Sequence, residues 1–132
     1  MIEHTITGHG FQVLHSSRPW RIAMHAFEPG VNDLASFITW GRHLDSEEAF
    51  VLLEGRGWLV TAPEPMQQGN ASFCIHNLEP DRILIVEAGE RHAIILEEGA
   101  RTLIIENEDM SRSVTESIPD ALREQVFSLI SV

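Results

Sequence analysis

No lysine and no tyrosine occur among the 132 residues, and cysteine occurs once, at Cys74. Without lysine, Schiff-base chemistry, a P-loop lysine and a lysine general base all drop out. Without tyrosine, a proton relay has only His, Asp, Glu or water to run through. A single thiol forms no internal disulfide and fits a reducing compartment, so a cytoplasmic protein is expected. Basic residues are scarce as well: nine arginines stand against 20 acids, a net charge of -11. Binding a phosphate backbone rests on Lys/Arg contacts and released counterions, so no nucleic-acid partner is expected. Apolar runs stop at about five residues, far short of the roughly 20 that a membrane helix needs. The N-terminus, Met1-Ile2-Glu3-His4, is acidic where a secretion signal is basic, and no apolar stretch follows it. No Ser sits in a G-x-S-x-G elbow and no G-x-G-x-x-G follows a strand, which disfavours serine hydrolases and dinucleotide enzymes.

What remains has the composition of an ordinary globule, 43% hydrophobic with mixed charge, and a length that suits one domain. Short apolar segments recur every eight to twelve residues between Gly/Pro turns, the pattern of an antiparallel sandwich or barrel. Strands are expected at 20–27, 34–40, 49–53, 58–61, 71–76, 81–86, 91–96 and 101–106. Residues 1–19 read as an N-terminal arm that adds an edge strand near Phe11 to Leu14. Residues 20–106 form the barrel, and 62–70 read as a surface loop. Ser117-Ile118-Pro119-Asp120 has the cap, early proline and acid of a helix start. Leu122, Val126, Leu129 and Ile130 then recur at helical spacing, predicting one helix over 117–130 that packs across the sandwich.

One stretch concentrates chemistry. In residues 43–57 an apolar run, Ala49 to Leu53, is preceded by His43, Asp45, Glu47 and Glu48 and closed by Gly55-Arg56-Gly57. Alternation lets only one of Glu47 and Glu48 face inward. Elsewhere, His25 shares a strand face with Arg21 and Ala23 and is a candidate to meet a ligand inside a barrel. Trp40 and Phe50 are candidates to line a pocket, and Arg91 to bind an anionic substrate. His4, His9 and His15 have no ligand spacing and read as surface imidazoles. Cys74 and His76 share a face but lack a matching pair. Glu106-Asn107-Glu108-Asp109 reads as a solvated loop.

The block resembles the first motif of the cupin superfamily, which places two histidines one residue apart, then a Glu, then a Gly. Glu48 and Gly55 match in spacing, and His43 falls on the second histidine; the first would stand at position 41, which is Gly41. Glu87-Ala88-Gly89-Glu90-Arg91-His92 is similar to the second motif, with Gly89 and His92 in place and Glu87 where a proline is usual. The resemblance implies an all-β, double-stranded β-helix (jelly-roll) barrel with one C-terminal helix. It also implies a divalent transition metal, Fe, Mn, Ni or Zn, held by His43, Glu48 and His92, with Glu47 or Asp45 orienting an imidazole. Two readings stay open: a metal-dependent enzyme acting on a small polar metabolite, and a metal-free cupin that binds or senses a small molecule. A homodimer is implied by the resemblance, with the N-terminal arm and the apolar stripe of the helix as its support in the sequence.

Overall fold

Alternation of side chains along each strand decides which residues reach the interior, and burial follows that period closely. The computed structural model describes residues 1–62 and 72–130. Among them ten strands precede one helix: β1 (Gly10–Ser17), β2 (Trp20–Ala26), β3 (Thr39–His43), β4 (Glu48–Glu54), β5 (Gly57–Ala62), β6 (Cys74–Asn77), β7 (Ile83–Val86), β8 (Arg91–Leu96), β9 (Arg101–Asn107), β10 (Ser113–Ser117) and α1 (Asp120–Ile130). They form two five-stranded antiparallel sheets, ordered β1-β2-β9-β4-β7 and β10-β3-β8-β5-β6. The chain repeatedly crosses from one sheet to the other, which is jelly-roll winding.

Two apolar layers result. Ala23, Phe50, Leu52, Leu59, Val86 and Ile104 fill the space between the sheets. Trp40, Trp58, Val60 and Ile95, on the outer face of the second sheet, meet Leu122, Val126 and Ile130 of α1. All six residues of β5 are therefore buried, one face toward the barrel and the other toward the helix. The helix stripe follows i, i+4, i+8, and each such side chain contributes roughly 1.5–3 kcal/mol by leaving water. Leu129, expected in that stripe, is 63% exposed because it falls between the rows. Among the described residues no helix is long and apolar enough to cross a membrane.

Turn chemistry redraws several expected boundaries. The strand expected over 34–40 is a single 3-10 turn at Leu34–Ser36, and β3 starts only at Thr39. The Ser36 hydroxyl donates to the Asp33 carboxylate, and the Gly30 N–H reaches the same side chain, local bonds that compete with a sheet ladder. The arm contributes a full strand, β1, that pairs along β2. A tenth strand, Ser113–Ser117, lies at the edge beside β3, where its polar side chains need no burial. The loop expected at 62–70 lies, apart from Ala62, outside the described residues, as does Ala71. Gly55 ends β4 with φ +82°; a Cβ there would stand 2.4 Å from Ala100 Cα, so both the turn and the contact require glycine.

Candidate functional site

Three strands deliver one side chain each to the same end of the barrel. On β3, Trp40 faces out into the helix-covered layer, so Gly41 and His43 face in. On β4, Glu48, Phe50 and Leu52 are the buried, inward set, and the acid at their head is Glu48, with Glu47 left exposed. On β8, His92 alternates with Arg91 and Ala93 and lies directly across from Gly41.

His43 Nε2 and His92 Nε2 both reach a single oxygen, Glu48 Oε2, at 2.8 and 2.6 Å. The three ligand-type atoms lie within 4.8 Å of one another. Each imidazole is also held from behind. The His92 Nδ1–H donates to the Glu90 carbonyl at 3.0 Å, and a carbonyl can only accept, so Nδ1 carries the proton. That fixes the tautomer whose other nitrogen can ligate a metal. His43 Nδ1 pairs with the Ser113 hydroxyl at 2.7 Å, a partner able to donate or accept. The two rings are 5.3 Å apart, and Phe50 stands edge-on to His92 at 5.9 Å.

A second carboxyl group joins the cluster. Glu106, inward on β9 and 6% exposed, hydrogen-bonds Glu48 and takes Arg21 Nη2 and Nε at 2.5 and 2.6 Å. Burial, then the hydrogen bond and charge of Glu48, push its pKa up to about 7, with Arg21 pulling the other way. In its protonated form Glu106 donates to Glu48. Burial opposes ionisation of Glu48 too, yet hydrogen bonds from His43 and His92 and the His92 charge prevail and hold it well below the usual carboxylate range. Burial lowers the pKa of His92, but its bond to Glu48, the Glu48 charge and the Glu90 carbonyl outweigh that and raise it. The network thus favours an ionised Glu48, makes His92 more basic than an ordinary imidazole, and makes Glu106 hold its proton more strongly than an ordinary carboxyl group.

The other expected site residues divide. Phe50 joins the centre. His25 faces the interior; Asn32 Nδ2 donates to its Nδ1 at 3.3 Å, and burial takes its pKa down to about 4 against a weaker pull from Glu48. Trp40, expected at a pocket, lies instead in the apolar layer beneath α1, 2% exposed, because position 40 has outward parity. Arg91 has the same parity and bonds Glu116 Oε2 at 2.7 Å, so it does not offer itself to a ligand at the centre. Glu106 and Arg21 were not expected. Their signal was available, since Arg21 shares parity with Ala23 and His25, and an acid two positions beyond Ile104 on a buried strand faces the same interior. Gly41 leaves a gap that crowding does not force: a Cβ there would meet nothing nearer than the Val114 carbonyl, at 3.6 Å.

Neither a protein-family model nor a curated protein matches the sequence. Solved structures do. A cupin-2 domain containing protein from Shewanella frigidimarina NCIMB 400 is 16% identical and aligns over 78% of this chain and 85% of that one, with TM-score 0.52. A cupin superfamily protein from Desulfitobacterium hafniense DCB-2 is 19% identical over 82% and 84%, TM-score 0.52. The chain has a cupin fold. Another structural neighbour is hydroquinone 1,2-dioxygenase from Sphingomonas sp. TTNP3 with 4-hydroxybenzoate bound, 11% identical over 73% of this chain and 64% of that one, TM-score 0.52. In this barrel two imidazoles and a carboxylate converge, two nitrogen donors and one oxygen donor on three neighbouring strands. Such donors fit Fe(II), Mn, Ni or Zn, so the residues present suit a metal.

Proposed function

We propose that this cupin is a divalent-metal-dependent enzyme acting on a small polar metabolite, with His43, Glu48 and His92 as the metal ligands. The supporting observation is the convergence of both Nε2 atoms on Glu48 Oε2. A metal bound there would supply Lewis-acid chemistry, polarising a carbonyl or activating a water. The chain's own groups prepare the site. His92, with Nδ1–H kept on the Glu90 carbonyl, would hold the ion through Nε2, any Nε2 proton passing to solvent water. Ser113 turns to accept from His43. Glu106 moves a proton to or from the rim of the centre, and Phe50 keeps one wall dry.

The metal analysis of protein purified without an affinity tag tests this. Near-stoichiometric transition metal is expected, lost in His43→Ala and in His92→Ala. Metal-free protein even after supplementation with Fe, Mn, Ni and Zn would sink the enzyme reading. It would favour the second one, a metal-free cupin that binds or senses a small molecule. One observation supports that alternative: Glu48 is already bonded by His43, His92 and Glu106.

The same proposal includes a homodimer. Ile85, Ala49 and Ile105 form a row across β7, β4 and β9 on the outer face of the first sheet, with Ile85 and Ile105 45–50% exposed and Ile83 67%. A second copy would cover this face as α1 covers the other sheet. Light scattering should report twice the chain mass, falling to one chain in Ile85→Glu; a monomeric wild type refutes the dimer.

A further inference from the structure

β6 and β7 are edge strands of different sheets, and the barrel is open between them. A cavity of about 400 Å³ lies there. Its floor is apolar, from Leu59, Leu84 and Val86; its rim carries Glu47, Glu87 and Glu90. Thr61 and His76 complete the wall, with the Thr61 hydroxyl and His76 Nε2 at 3.0 Å. The cavity borders the His–Glu–His centre on three sides of the register. Val86 pairs with Glu48, Thr61 pairs with His92, and Glu90 both lines the cavity and holds His92 through its carbonyl.

We infer that this cavity is the substrate subsite, and that it selects a small molecule carrying a protonated amine on a short apolar body. The inference rests on the proposed function for the neighbouring centre but adds the substrate class. The size fits, since small-molecule sites start at about 300 Å³. The apolar floor takes a hydrocarbon body, while Thr61 and His76 offer a hydroxyl and an imidazole to one polar group. Among the described residues no arginine lines the cavity. In metal-free protein a carboxylate or phosphate ligand would meet three rim carboxylates and no lining arginine, whereas an ammonium group is drawn in and oriented by them.

Three probes of one shape test this: cyclohexylammonium, cyclohexanol and cyclohexanecarboxylate, titrated by calorimetry and amide NMR into chelator-treated protein. Cyclohexylammonium should bind at least about tenfold more tightly than cyclohexanecarboxylate, a ratio that Glu47→Gln/Glu87→Gln/Glu90→Gln lowers to about twofold. Because the whole chain is acidic, Glu3→Gln/Glu98→Gln/Glu124→Gln removes the same charge elsewhere and should keep the ratio. Should the first triple variant unfold, Glu47→Gln/Glu87→Gln, both at exposed positions, carries the test with a drop of about threefold in that ratio. Equal binding of the two charged probes, or equal loss in both triple variants, overturns the inference. Metal content read on untreated samples separates it from the proposal it rests on. A wild type without metal that keeps the amine preference refutes only the metal, and a metal-loaded wild type without the preference refutes only the subsite.

Discussion

Glu48→Gln should destabilise the fold by about 3 kcal/mol or more at neutral pH, the scale of a buried ion pair stripped of one partner. The reason is geometric: Glu48 Oε2 is the common acceptor of two imidazoles, and Glu106 donates to the same carboxylate. An amide removes the negative charge that both imidazoles bond and that raises the His92 pKa, and it can turn one acceptor into a donor aimed at other donors. Glu106→Gln is the contrast. If Glu106 is already a neutral acid, the amide reproduces it, its oxygen accepting from Arg21 and its N–H donating to Glu48, and the cost should stay under about 1 kcal/mol. Urea unfolding of metal-free protein measures both. Similar costs for the two substitutions would show that the charge does not sit on Glu48 alone.

The stability of metal-free protein should be nearly independent of pH between about 4.5 and 6.5, and single substitutions should expose why. His25 titrates at 6.5 when unfolded and at about 4 when folded. The unfolded chain therefore binds more protons in that interval, and stability falls as pH drops from 6.5 to 4, by about 3 kcal/mol in full. Glu106 runs the other way, raised from 4.5 to about 7. Its contribution is complete below 4.5 and is lost as pH rises through 7, again by about 3 kcal/mol. Between 4.5 and 6.5 the two slopes oppose one another. Glu48, with a lowered pKa, adds loss only on the acid side of its ordinary 4.5; His92, with a raised one, adds loss only above 6.5. In His25→Gln stability should therefore decline as pH rises from 4.5 to 7, and in Glu106→Gln it should climb from 4.5 to 6.5. Denaturant midpoints at four or five pH values decide the matter; unchanged slopes in both variants would refute the opposed titrations.

The strands with steady alternation were legible in the sequence. Arg91 to Leu96 is recovered to the residue, and Glu48 is picked over Glu47 by its distance to Gly55, the parity that the barrel adopts. Residues 34–40 were not, because Leu, Ala, Phe, Ile and Trp have strand composition while Asp33 and Ser36 fold the chain on itself through side-chain bonds that composition does not display. β10 was hidden for the opposite reason: an edge strand with a solvent face shows little apolar period. Trp40 and Arg91 were misplaced by chemistry without parity, an aromatic and a cation being assigned to a pocket that their strand positions turn away from. Glu106 was missed by reading four polar residues as one solvated loop, although Glu106 closes the expected strand over 101–106 and both it and Asn107 belong to β9.

The winding of the sheets has a kinetic consequence. β9 lies between β2 and β4, and β8 between β3 and β5, so most pairings join segments far apart in sequence. Closing such distant contacts is slow, and neither sheet is finished within a short segment, the first needing strands from Gly10 to Asn107 and the second from Thr39 to Ser117. His43 and Glu48 are near neighbours in sequence, yet His92 joins them only when β8 docks beside β3. Any ion captured by the trio would consequently mark molecules in which β8 has docked beside β3, and its uptake would report that one long-range step of folding.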